Sequence, residues 1–192
     1  MVFPQQPGTG SSMDFLELCK IRQSCRSFTG EPVDDGALRG IVEAGRLAPS
    51  ACNSQPWKFY VVESGGARME QMREACQIAG NNKFAAKASA FIVVFREKPN
   101  YSERIGQVLF GREFSAIDIG LAVENIVLAA AEKGLGTCIL GMFTESAVKE
   151  CIGLGRRDRR KVELVIAVGV PVSAEPRPKK RKAEEEVAVY LK

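Results

Sequence analysis

Apolar and polar positions along this chain follow two periods, one near 3.6 and one near 2. Over residues 13–21, Phe15, Leu16, Leu18 and Cys19 fall on one side of a short helix. Asp34 then stands where a helix N-cap belongs. Behind it Leu38, Ile41, Val42 and Leu47 form an apolar face, with Arg39, Glu43 and Arg46 turned outward. Pro49 stops that helix. Residues 57–63 read as a strand, and 67–79 as a helix closed by Gly80-Asn81-Asn82. The unbroken run Phe91-Ile92-Val93-Val94-Phe95 is expected of a central strand buried on both faces.

The longest helical segment is 111–134. Phe114, Ile117, Ile119, Leu121, Val123, Ile126, Val127 and Leu128 lie almost all round its cylinder, with Asp118 and Glu124 among them. A helix apolar on most faces is buried against more than one neighbour, here the sheet and a second subunit. Gly134 and Gly136 are C-cap candidates, 137–140 is a short strand, Thr144 caps a helix over 145–152, and 162–170 is a further strand. The tail is polar and proline-rich until 187–191, which alternates like a strand whose partner is either its own sheet or the other protomer's.

At 192 residues, 45% of them hydrophobic, the chain suffices for one domain with a real core, and no repeat or second domain is evident. That domain is read as 13–192, with a C-terminal extension over 172–192. Residues 1–12 read as a disordered lead-in, lacking the basic end and apolar run of a secretory signal. No apolar run approaches the roughly 20 residues that cross a bilayer. Six scattered cysteines without Cys-x-x-Cys read as reduced thiols of a cytoplasmic protein. Histidine is absent, which excludes Ser-His and Cys-His nucleophile pairs, and no spacing suggests a metal site. An enzyme of this composition takes its reactivity from a cofactor. The net charge of +4 is concentrated in two runs, 156–161 and 177–182, which together hold ten of the 27 basic residues. They are too short and too closely tied to a strand to favour a nucleic-acid surface.

Two stretches carry candidate chemistry. Ala48-Pro49-Ser50-Ala51-Cys52-Asn53-Ser54-Gln55-Pro56-Trp57 is a stiff polar turn leading into a strand, with two prolines fixing φ. It is either an ordinary turn anchored by Trp57 or a rigid loop that meets a flat polar ligand. Arg22-Gln23-Ser24-Cys25-Arg26 can turn two guanidinium groups and a hydroxyl toward one anion. Equally, it can be a solvated helix end whose arginines offset the helix dipole. Lys179-Lys180-Arg181-Lys182 is a second basic group, with a solvated linker as the alternative.

Together, Arg-x-Ser-x-Arg and the later Ala-Pro-Ser-x-x-Asn-x-Gln-Pro-Trp resemble the FMN-dependent nitroreductase family, and 118–141 and 162–171 fit the same pattern. The resemblance implies an α+β fold: a mixed, mostly antiparallel sheet flanked by helices, in an intertwined homodimer with two FMN sites at the interface. By it, Arg22, Gln23, Ser24 and Arg26 bind the flavin. Arg22 and Ser24 take the phosphate, and Arg26 lies at the N1 and O2 edge, where charge develops on reduction. Gln23 stands at a position often basic in the family. Lys179 and Arg181 match a phosphate-binding Lys-x-Arg. Pro49, Ser50, Ala51, Asn53 and Gln55 match a loop that meets the ring or ribityl chain from the neighbouring subunit, though Asn53 equally suits locking its own turn. Leu140-Gly141 matches the strand end whose backbone approaches flavin N5, and Asn81 is a further polar contact. Cys52 and Cys138 fall near this site and read as packing residues.

The resemblance implies an enzyme in which NADH or NADPH reduces FMN and a nitroaromatic, quinone or similar small acceptor then takes the electrons, in ping-pong fashion. Neither nucleic acid nor membrane is a partner. The alternatives are reductive dehalogenation or oxygen-dependent flavin breakdown on the same fold, and a non-catalytic flavin binder. For the former, 100–112 with Tyr101, Arg104 and Phe110 is the one candidate lid.

Overall fold

The sheet is laid down around β2 (Ala90–Arg96), in a computed structural model that describes residues 13–111, 113–155 and 157–192. The expected lead-in over 1–12, Arg112 and the Phe110 side chain of the lid candidate, and Arg156 of the first basic run lie outside the described residues. Strand β2 pairs with β1 (Trp57–Val62) on one side and β4 (Lys161–Gly169) on the other, and β4 pairs with β3 (Gly136–Leu140). The order is β1-β2-β4-β3, and every ladder is antiparallel. The expected mixed sheet is therefore corrected. The parallel element among the described residues is a single bridge between Ser24 and Thr137, because the chain leaves β3 again to pair Phe28 with Pro171.

Alternation along β2 and β4 divides the core in two. Phe91, Val93 and Phe95 with Val165 and Ala167 face α3 (Ala67–Cys76) and α6 (Glu145–Cys151). Ala90, Ile92 and Val94 with Ile166 and Val168 face α2 (Asp35–Arg46) and α5 (Ser115–Glu132). Both faces of the sheet are dry, which is why β2 reads as an unbroken apolar run. Helix α2 is capped as expected, with the Asp34 carboxylate accepting from the Ala37 N–H at 2.8 Å. It lies tightly on α5: a Cβ at Gly45 would come within 2.6 Å of Ile126 Cγ1.

Several element boundaries differ from the pattern. Leu47, 65% exposed, lies past the end of α2 and drops out of its apolar face. The helix expected over 111–134 begins only at Ser115. Ahead of it lies a separate α4 (Tyr101–Phe110), and Gly111, at φ +65°, turns the chain between them. Helix α3 stops at Cys76, short of the expected 79, because Gln77 is already extended, at φ −93° and ψ 105°. Thr144 holds the N-cap position of α6 without a side-chain cap; its backbone N–H donates to Ala75 O instead. Helix α1 (Phe15–Ile21) buries none of its residues, so Phe15 and Leu16 lie exposed.

The tail is the largest correction. Residues 187–191 form no strand; the tail's only regular element among the described residues is a short 3-10 turn at Glu184–Glu186, and Leu191 is 91% exposed. Residues 187–191 pair with none of the four strands of their own sheet.

Candidate functional site

The arginine motif is held as a strip along the edge of β3. Arg22 is the C-cap residue of α1, its N–H bonded to Leu18 O. The chain then extends: Cys25 N–H donates to Thr137 O at 2.7 Å, Thr29 N–H to Val170 O, and Val172 N–H to Ser27 O. Two glycines let the strip lie this close. A Cβ at Gly136 would stand 2.7 Å from Cys25 Sγ, and one at Gly169 would stand 2.9 Å from Phe28 Cδ1. Cys25 and Phe28 thus point toward the sheet, and Arg22, Ser24 and Arg26 line an open groove. Arg22 is partly buried, with Nε 3.7 Å from the Glu124 carboxylate.

The tail supplies the groove's other wall. Lys179 Nζ donates to Cys19 O at 2.8 Å and Arg22 O at 2.5 Å, closing the C-terminal end of α1. The cleft, about 340 Å³, is lined by Arg22, Arg26, Arg177, Lys179, Lys180 and Arg181, with Gln23, Ser24 and Pro178 between them and no carboxylate. Desolvation lowers the Lys179 pKa, and the charges of Arg22 and Arg181 lower it further. Guanidinium and ammonium groups gathered in this way are donors of the kind that bind anions, and of these cations Arg22 has the Glu124 carboxylate beside it. The solvated-linker alternative does not describe Lys179. Gln23 is the residue whose placement differs from expectation: its amide is bonded to the tail, accepting from Arg177 and donating to Glu175 O.

The proline-flanked loop is rigid and lies elsewhere. Cys52, Asn53 and Gln55 all take φ near +50°, a costly conformation for residues with side chains. The loop is held by its own polar groups: Gln55 N–H donates to Ser50 Oγ at 2.9 Å and Gln55 Nε2 to Asn53 Oδ1 at 3.1 Å. Asn53 therefore does lock its own turn. From outside, buried Asp118 of α5 accepts from Ala51 N–H at 3.2 Å, and Asn100 Nδ2 donates to Cys52 O. Asp118 and Asn100 are anchors that no motif marked; an acid on the apolar face of a helix was the available signal. Pro49, Asn53 and Gln55 are exposed, as is Cys52, which is thus no packing residue. None of the residues 49–55 lines the cationic groove.

At the end of β3, Leu140 is buried and Gly141 exposed, and a Cβ built on Gly141 meets no atom within 4 Å. Space for a flat ligand is open there. Asn81 is exposed; its neighbour Asn82, at φ +58°, donates from Nδ2 to Cys76 O and Met142 O and so pins the turn beside Gly141. Burial pushes the Cys138 thiol pKa up, and the positive charges of Arg26 and Arg177 pull against it. Among the described residues no cluster of His, Cys, Asp and Glu could hold a metal ion, and no helix is long and apolar enough to cross a membrane.

The fold and the groove define an α+β protein with a cationic groove at one edge of an antiparallel sheet. The chain belongs to the nitroreductase family, whose description matches residues 20–170. It is 30% identical to a nitroreductase family protein of Streptococcus pneumoniae whose crystal structure superposes with a TM-score of 0.72, over 93% of this chain and 100% of that one. A structure from Desulfovibrio desulfuricans, solved in complex with FMN, is 27% identical with a TM-score of 0.71, over 92% and 96% of the two chains. The oxygen-insensitive NADPH nitroreductase of Helicobacter pylori is 26% identical, over 91% of this chain and 95% of its own.

Proposed function

We propose that this chain is an FMN-dependent oxidoreductase that takes hydride from NADH or NADPH and passes electrons to a nitroaromatic, quinone or similar acceptor in a ping-pong cycle. The observation that carries this reading is the cleft where Arg22, Ser24 and Arg26 meet Lys179 and Arg181 from the far end of the chain. Its donor set fits a phosphate monoester, which carries nearly two charges and asks for several N–H forks. When bound, FMN supplies the hydride and electron chemistry that a chain without histidine does not offer.

The residues bind and orient. Arg22, Ser24, Lys179 and Arg181 hold the phosphate, and Arg26, beside β3, is the cation for the edge of the flavin that gains charge. Leu140 and Gly141 offer backbone beneath open space. Pro49, Ser50, Ala51, Asn53 and Gln55 complete the site from a second copy, because within one chain they stand apart from the groove. A homodimer also covers the exposed Ile117 and Leu121 of α5 and gives residues 187–191 a surface to cross.

The test is flavin content with half-reactions. Purified protein should be a yellow dimer with one FMN per chain. NADH or NADPH should bleach it anaerobically, and a nitroarene or quinone should restore the colour. Colourless protein that takes up no added FMN refutes the reading. A monomer that binds FMN tightly removes the shared site. Reoxidation by iodotyrosine or oxygen alone would move the chain to the dehalogenating or flavin-degrading chemistry.

A further inference from the structure

The Gln23 side chain is committed to the tail rather than to the groove. Its Oε1 accepts twice from Arg177, from the backbone N–H and from Nε, both at 3.1 Å. Its Nε2 donates to Glu175 O at 3.1 Å. An amide oxygen has two lone pairs, so its acceptor capacity is full. Arg177 completes the tie by donating from Nη2 to Ser24 O at 2.6 Å. The Nη1 group of Arg177 has no protein partner among the described residues, and Arg177 lines the cationic cleft. Two residues further on, Lys179 closes α1, and Arg181 follows on the same wall.

We propose that Gln23 is a positioning residue that clasps the tail through Arg177, and that Arg177 so held is a further cation of the anion site. This deepens the reading of the cleft as a flavin phosphate site and rests on it. The tail over 175–181 has no strand or helix of its own, so side-chain ties alone keep its charges facing Arg22 and Arg26. An amide does this better than a cation would. It supplies an acceptor for Arg177 and a donor for Glu175 O, whereas a Lys or Arg at position 23 would offer no acceptor and would repel Arg177.

The experiment compares wild type, Gln23→Ala, Arg177→Gln, the double variant and Gln23→Glu, all as full-length protein. Two quantities are read: trypsin cleavage at 179–182 in FMN-free protein, and FMN affinity. Trypsin does not cleave the Arg177–Pro178 bond, so none of these substitutions removes a productive cleavage site. Each single removal should speed cleavage and weaken FMN binding about tenfold, the scale of one charge-assisted hydrogen bond, and the double variant should do no more than either single one. Gln23→Glu keeps the acceptor, so the tail should stay protected while the added negative charge still weakens FMN binding. If Gln23→Ala weakens FMN binding with cleavage unchanged, Gln23 is itself a ligand and the clasp is refuted. Unchanged cleavage and affinity in both single variants refute it too. Should the protein bind no FMN, the flavin reading falls, and with it the role of Arg177 as a flavin-site cation; the cleavage rates still decide the clasp.

Discussion

Gly136→Ala tests whether the arginine strip owes its position to a missing side chain. The new Cβ would stand 2.7 Å from Cys25 Sγ, 2.8 Å from Cys25 Cβ and 3.3 Å from Phe28 Cε1. Distances below 3.0 Å are not sustained, so either the strip or β3 must move. The strip is the lighter partner, tied to β3 mainly through Cys25 N–H and Thr137 O. Overpacking of this kind costs about 1–3 kcal/mol. Urea unfolding of FMN-free protein at fixed concentration should show that loss as a lower midpoint with an unchanged slope. FMN affinity should fall as well, since Arg22, Ser24 and Arg26 travel with the strip. Adding Cys25→Ala removes the Sγ clash but leaves the contact with Cβ at 2.8 Å, so rescue should be partial. A Gly136→Ala protein with wild-type midpoint and wild-type FMN affinity would refute the argument that close approach at Gly136 seats the strip.

Arg22→Ala should weaken FMN binding by roughly 1.5–3 kcal/mol, about tenfold or more, while reduction of the fraction still loaded changes little. Titration of the dissociation constant checks this, and an unchanged value would leave Arg22 as the partner of Glu124 alone. Lys179→Ala/Arg181→Ala should lower FMN affinity and its salt sensitivity, since fewer charges face the phosphate; deleting everything from Arg177 onward should in addition loosen the dimer, measured by sedimentation. Glu145→Gln probes the α6–β4 corner, where Lys149 holds the Glu145 carboxylate pKa below its usual 4.5. A depressed acid stabilises the fold above its unfolded pKa and loses that contribution as pH falls through the folded one. The variant should therefore be less stable near neutral pH, by under about 1 kcal/mol because the pair is partly solvated, and should converge with wild type in acid, as read by urea midpoints.

The elements legible in the sequence are those whose cause is local or strongly periodic. The unbroken run through β2 and the Asp34 cap each need only nearby residues to declare themselves. Break points decided by backbone sign were not legible in this way. Gly111 turns the chain between α4 and α5 at φ +65°, so the helix expected to begin at 111 begins only at Ser115. Helix α4 is hidden for a related reason. Its Tyr101, Ile105, Val108 and Leu109 have helical spacing, yet all are exposed, so nothing in the fold of one chain demands them.

The candidate site divides along the same line. Its cationic half could be assembled from motifs, because cations that converge are conspicuous by type, and the fold does bring 22–26 and 177–181 into one cleft. What holds the cleft together is of another kind. Gln23, Gly136, Gly169 and the backbone carbonyls of Cys19 and Arg22 act through geometry alone, and no residue type among them announces a role. The loop over 49–55 makes the complementary point. Three strained φ values and a buried Asp118 fix it firmly, at a place the cleft does not reach. Strain of that size persists only where surrounding structure over-determines it. In the proposed site, a loop held so rigidly with Asn53 and Gln55 exposed is the part that a second copy would bring to the flavin. That is why the site is proposed to close between two subunits.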